Sequence, residues 1–164
     1  MRICLVHPPS PFLLEERVFP SLGILQVAAV LEEAGHEVYV EDLGGRADYQ
    51  EVMAKTASLR WDIYGVTSTT PQWPMAIDVL SVIRQADPGK RVIVGGPHAT
   101  VMPESCHMFD CIVQGDGEEA VVQALNPHAP HVLDYASNTT KGELKWHWPA
   151  RHLLGVEHAC CSSC

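Results

Sequence analysis

The spacing of hydrophobic positions changes period several times along the chain. Residues 2–6 are a short apolar run without helical spacing, and Pro8, Pro9, Pro11 and Pro20 then punctuate a long stretch, which predicts a strand followed by a loop. From Leu22 the period changes. Leu22, Leu25, Ala28, Ala29 and Leu31 recur at three and four, Ser21 stands where a helix cap belongs, and Gly35 suits the left-handed position just past the helix end. Residues 37–41 read as a second strand. The cycle repeats with a helix over 49–59, a strand over 63–66, a helix over 75–86 and a strand over 91–94, with Asp87, Pro88 and Gly89 breaking the last two apart. A short, weaker helix near 103–107 leads to a strand over 111–113, and 118–125 closes as a helix.

Strands alternating with helices need crossover connections, so the pattern predicts an α/β fold: a Rossmann-like or flavodoxin-like open parallel five-stranded sheet with helices on both faces. Ligands of such sheets sit outside the carboxyl ends of the strands. That selects five loops, at 7–20, 42–48, 67–73, 95–100 and 114–117. After Leu125 the pattern dissolves into Asn126, Pro127, Pro130, Asn138, Thr139 and Thr140, then Trp146 and Trp148. Residues 1–125 therefore read as the domain and 126–164 as a linker or docking tail.

Composition narrows the function. With 46% hydrophobic and 19% charged residues among 164, the chain is globular, and it has neither a membrane-length apolar run nor a signal core, so a cytoplasmic protein without a membrane partner is expected. A net charge of −9 repels phosphate backbones and excludes nucleic acid as a natural partner. Cys4, Cys106 and Cys111 accompany short apolar runs and read as buried thiols, while Cys160, Cys161 and Cys164 crowd the end beside His158.

The loops exclude common ligands of this architecture. A dinucleotide needs a glycine-rich turn after the first strand, whose amides meet the pyrophosphate, but here that turn is His7-Pro8-Pro9-Ser10-Pro11, and its three prolines have no amide proton. A flavin or phosphate cradle is disfavoured for the same reason, and a phospho-acceptor domain would need an aspartate where Thr67 ends the third strand. Two loops stay informative: Thr67-Ser68-Thr69-Thr70 and Gly95-Gly96-Pro97-His98. Hydroxyls suit a polar heteroaromatic, and paired glycines let a bulky planar ligand approach the backbone, which together describe a slot beside the third and fourth strands. The hydroxyls equally suit capping of the next helix, and the glycines a tight turn.

These residues, in order, resemble the cobalamin-binding amino-terminal domain of cobalamin-dependent radical SAM enzymes. The series runs His7-Pro8-Pro9, Pro20-Ser21-Leu22-Gly23-Ile24-Leu25, Ala34-Gly35-His36, Asp42-Leu43, Gly65-Val66-Thr67, Gly95-Gly96-Pro97-His98, Pro103-Glu104 and Gly115-Asp116-Gly117-Glu118. The resemblance implies cobalamin as cofactor, held by His7, Pro8, Pro9, Gly23, Thr67 to Thr70, Gly95 to His98, Gly115, Gly117 and Glu118. It implies no catalytic residue. Read from the residues alone, His98 equally suits a solvated turn, Glu118 the first turn of a helix, and Trp73 either core or pocket wall.

Two departures from related sequences matter. Cobalamin mutases and methionine synthases carry Asp-x-His-x-x-Gly after the first strand, whereas His7 has Leu5 two positions before it and a proline after it, so no orienting carboxylate is expected and no side chain is expected to ligate the metal. Radical SAM chemistry needs Cys-x-x-x-Cys-x-x-Cys to hold a cluster, but Cys160 and Cys164 have only the first spacing. The iron–sulfur cluster and S-adenosylmethionine are therefore expected only in a complete enzyme. The expected function is a module that presents cobalamin to a radical SAM domain or subunit for methyl transfer or related radical chemistry, inactive alone. The alternatives are a noncatalytic sensory or partner-docking module and a truncated fragment without ligand.

Overall fold

The computed structural model describes residues 1–135 and 147–155. The elements are β1 (Arg2–His7), α1 (Leu22–Glu33), β2 (Glu37–Asp42), α2 (Tyr49–Ala57), β3 (Ile63–Thr67), α3 (Trp73–Ala86), β4 (Arg91–Gly95), α4 (Pro97–Val101), β5 (Cys111–Gln114), α5 (Gly117–Ala124) and β6 (Val132–Asp134). Short 3-10 turns cover Pro103–Cys106 and Arg151–Leu153. The strands pair in parallel in the order β2-β1-β3-β4-β5-β6, so the order reverses between β1 and β3.

The sheet has six strands, not the five expected. β6 has three residues, of which only Leu133 is buried, so a period of two cannot register in the sequence. What makes it a strand is its edge pairing with β5, Ile112 to Val132 through Gln114 to Asp134. A second difference is α4, which occupies a stretch read as loop. Gly96 at φ +94° turns the chain there, and Pro97 opens the helix with a φ already suited to it.

Alternation along the strands divides the core in two. Ile3, Leu5, Val38, Val40, Ile63, Ile93 and Val113 face Leu25, Ala28 and Leu31 of α1 and Ala120 and Ala124 of α5. On the other face Cys4, Val6, Tyr64, Val66, Val92, Val94 and Ile112 meet Met53 of α2, Val79 and Ile83 of α3, Ala99 and Phe109. Cys4, Cys106 and Cys111 are free and buried in the two core clusters, and burial pushes each thiol's pKa up.

Beyond Leu125, the described residues 147–155 also pack on this body. The Ala150 amide donates to the Leu25 carbonyl at 3.0 Å, Leu154 bridges to Val40, and His147 and His152 approach Glu33 and Glu32 of α1 at 3.1 and 3.0 Å. Trp148 is 81% exposed. Trp146, His158, Cys160, Cys161 and Cys164 lie outside the described residues. No described helix is long and apolar enough to cross a membrane.

Candidate ligand site at the carboxyl ends of the strands

A cavity of about 400 Å³ enters at the carboxyl ends of the strands and runs between the sheet and helices α1 and α5. Its origin is local. The positions of β3 and β4 that face α1 and α5 include Gly65 and Gly95, so neighbouring strands lack side chains where the rest of the sheet carries Ile, Leu or Val. A Cβ on Gly65 would come within 2.7 Å of Leu5 Cδ2, whereas one on Gly95 would meet Val113 at an ordinary 3.7 Å, so a larger side chain at Gly95 would enter the cavity. On the helix side a Cβ at Gly23 would meet nothing within 4 Å, and Gly117 lies close to Val27. His7, Thr67, Thr69, Gln72, Asp116 and Glu118 supply polar groups, while Ile3, Leu31, Ile63 and Leu125 are apolar lining.

Ten of the residues expected at the site line this cavity: His7, Gly23, Thr67, Thr69, Gly95, Gly96, Pro97, Gly115, Gly117 and Glu118. Pro8, Pro9, Ser68, Thr70 and His98 are not among its lining residues. Ser68 is fully buried and donates its hydroxyl to the Thr69 carbonyl at 2.8 Å. His98 turns toward the α3 side, where its ring stacks on Trp73 at 4.2 Å and bonds Thr70 Oγ1 at 3.2 Å and Ser105 Oγ at 2.8 Å. Burial lowers the pKa of this imidazole, opposed by Glu104. Trp73 is thus core on the α3 side. Gly96 shapes the site through its backbone, since a Cβ there would stand 2.7 Å from Thr67 Oγ1 and 3.0 Å from the Ser68 carbonyl.

His7 has an orienting carboxylate, contrary to the expectation from its immediate neighbours. The parallel register places His7 opposite Asp42 at the end of β2, and Asp42 Oδ1 lies 3.2 Å from His7 Nδ1 while also accepting the Gly44 amide at 2.9 Å. Gln72 completes the arrangement. Its Oε1 accepts the Thr69 amide and hydroxyl at 3.2 and 2.9 Å, which leaves the two hydrogens of Nε2 to serve three neighbours, Ser10 Oγ at 2.6 Å, the Pro8 carbonyl at 3.0 Å and His7 Nε2 at 3.2 Å. Because Gln72 Nε2 can only donate, a bond from it to His7 Nε2 puts the His7 proton on Nδ1, facing Asp42. Asp42 stood in the family series and Gln72 in a strand-end loop, but nothing in the sequence tied either to His7, because both act on it across long separations that only strand register and loop packing bring together.

The comparisons with known proteins bear on this slot. Residues 16–125 match the family model described as B12 binding domain. The chain belongs to that family. Among curated relatives of this family member, an uncharacterised methyltransferase of Pyrococcus horikoshii is 28% identical over 136 residues, covering 77% of the chain and 30% of the relative. An anaerobic magnesium-protoporphyrin IX monomethyl ester cyclase of Rubrivivax gelatinosus is 26% identical over 133 residues, covering 76% and 24%. A solved structure of the radical S-adenosylmethionine methyltransferase TsrM from Kitasatospora setae, with tryptophan and a SAM analogue bound, superposes with a TM-score of 0.65 at 21% identity, covering 76% of the chain and 25% of that protein. That likeness shows the fold. The chain spans between 24% and 30% of the length of these proteins.

Proposed function

We propose that the chain binds cobalamin, with the nucleotide tail in the slot between the sheet and α1/α5, and that it presents the corrin to a radical SAM domain or subunit. The observation that carries this reading is the glycine-lined cavity of Gly65 and Gly95, opening at the carboxyl ends of the strands in a chain of the B12-binding family. The residues fit such a group. About 400 Å³ lies within the range of small-molecule sites, the walls are mostly apolar, and a few polar groups stand at one end.

Thr67 and Thr69 would hold the tail at the slot, and Gly95, Gly96, Gly115 and Gly117 would bring the backbone close to the corrin edge. Glu118, at the first turn of α5, would face the amides of the ring. Pro8 and Pro9 are read as shaping the β1 loop, and Ser68, Thr70 and His98 as holding the adjoining turn. When bound, the corrin cobalt supplies methyl-transfer or radical chemistry, and the protein supplies binding and orientation. His7 is a wall group, because Asp42 and Gln72 stand against its two ring nitrogens. In this reading 1–125 carries the cofactor site and 126–164 leads to the radical SAM domain, where the iron–sulfur cluster and S-adenosylmethionine belong.

Mixing the chain with hydroxocobalamin, desalting it and reading the corrin bands tests the proposal. Retained corrin with a base-off spectrum is expected, unchanged in His7→Ala. Loss of all corrin on desalting at micromolar protein would overturn the binding, and nitrogen hyperfine splitting from a protein imidazole in the cobalt(II) form would overturn the role given to His7.

A further inference from the structure

We propose that Gln72 is a positioning residue of the ligand site: its side-chain amide clasps the proline-rich turn after β1 to the turn before α3, and so fixes the spacing of two loops at the mouth of the cavity. This rests on the cobalamin-binding reading above and adds a residue to which that reading gives no part in binding. The need for a clasp lies in the sequence. In His7-Pro8-Pro9-Ser10-Pro11 three residues have no amide hydrogen, and the Ser10 amide donates within the loop, to the Glu16 carboxylate. The turn can therefore be tied to its neighbours only through acceptors, and the donor must come from elsewhere. Packing adds little hold, since Phe12, Leu13, Leu14 and Phe19 further along the loop are all exposed.

Gln72 supplies that donor from a rigid base. It is 3% exposed and stands immediately before α3, where its carbonyl accepts the Met75 and Ala76 amides at 2.9 and 3.0 Å, and α3 is anchored in the core by Ala76, Val79 and Ile83. The two Thr69 donors hold Oε1, so the amide has one orientation and Nε2 faces the Pro8 carbonyl, Ser10 Oγ and His7 Nε2. Ser10 carries the tie onward, its carbonyl accepting the Leu13 amide at 2.9 Å. His7 from one loop, and Thr69 and Gln72 from the other, line the cavity, so a shift of either loop moves its wall. A mouth left loose must be ordered by the ligand as it binds, and that ordering is taken out of the affinity.

Gln72→Met keeps the length of the side chain and removes its hydrogen bonds. Two measurements on the full chain test the clasp, with circular dichroism to establish that the variant is folded: equilibrium dialysis against hydroxocobalamin, and limited trypsin digestion of the ligand-free chain read by mass spectrometry. Affinity should fall by about tenfold or more. Cleavage after Arg17, in the loop, should quicken by about threefold or more, while cleavage after Arg84, in α3, holds its wild-type rate. Affinity within about threefold of wild type, or cleavage that rises equally at both sites, would overturn the positioning role. A wild-type chain that binds no hydroxocobalamin would overturn the cobalamin reading itself, and digestion of the ligand-free chains tells that failure from failure of the clasp. One measurement needs no variant. Gln72 Nε2 presents only hydrogens to His7 Nε2 at 3.2 Å, so ring nitrogen NMR spectra of the ligand-free wild type at pH 8 should show the His7 hydrogen on Nδ1. A hydrogen on Nε2 would overturn the clasp whether or not the variant folds.

Discussion

The two faces of the sheet are built by the same alternation yet end differently, one filled and one hollow. On the α2/α3 face β3 presents Tyr64 and Val66 and β4 presents Val92 and Val94, all buried, with Phe109 and Met53 closing over them. Tyr64 OH donates to Asp87 Oδ2 at 3.0 Å, and Trp61 Nε1 to the Thr56 carbonyl at 2.9 Å, so even the polar atoms of this face are satisfied within it. One residue along each strand the side chains face α1 and α5 instead, and there Gly65 and Gly95 leave the cavity. Close packing to a density near 0.75 is the usual outcome for an interior, so a hollow face beside a filled one points to space kept for a ligand. Stability and binding are thus separable by face.

The largest expected effect breaks the filled face. Tyr64→Ala removes a fully buried ring and the donor to Asp87, and should lower unfolding free energy by about 3–5 kcal/mol in urea titration. Corrinoid affinity of the molecules that remain folded should stay within about threefold, and a loss as large as the stability change would mean the faces are not independent.

Filling the hollow face should do the reverse. Gly95→Leu introduces a side chain where a Cβ meets only Val113 at 3.7 Å, without a left-handed backbone to strain. Cobalamin affinity should fall more than tenfold, about 1.4 kcal/mol, while the midpoint of urea unfolding holds or rises. Gly96→Val is a poor substitute for this experiment. At φ +94°, with Thr67 Oγ1 2.7 Å from the new Cβ, it destabilises the turn before any ligand arrives.

A finer comparison uses adjacent hydroxyls. Thr67→Val removes a group on the cavity wall and should weaken cobalamin binding by about 0.5–1.5 kcal/mol. Ser68→Ala removes a bond to the Thr69 carbonyl outside the lining, so it should cost a similar amount of stability and leave the dissociation constant unchanged. Equal binding losses in both would place the slot's edge one residue further along the loop.

The smallest effect concerns pH on the filled side. Burial holds the His98 pKa below its ordinary 6.5, so the folded state takes up a proton less readily than the unfolded one. The stabilisation is complete above pH 6.5 and is lost progressively as pH falls from there toward the folded value. Urea midpoints measured between pH 8 and 5 should fall on the acid side, less steeply in His98→Gln. Identical profiles for wild type and variant would assign the acid sensitivity to other groups.

Through the family resemblance the sequence pointed to ten residues that line the cavity, while by itself it determined the period of each element, the helices on both faces and the carboxyl-end loops as the place to look. These follow from local rules: alternation sets which face a strand residue meets, and glycines and prolines mark where the backbone must turn. Gly65 was visible as part of a family pattern, but only the register of β3 on β4, which sets it beside Ile93 and two residues short of Gly95, makes it a wall of the slot. Tertiary structure alone decided β6, whose three residues are too few for any period and which exists through its pairing with β5. It also sent His98 to the α3 side, since a five-residue helix following Gly96 sets that ring's direction. Finally, it gave His7 its two partners. Asp42 lies 35 residues away and Gln72 lies 65, and side chains so distant meet only after the parallel register between β1 and β2 and the packing of the β3–α3 loop have been set by the burial of residues around them.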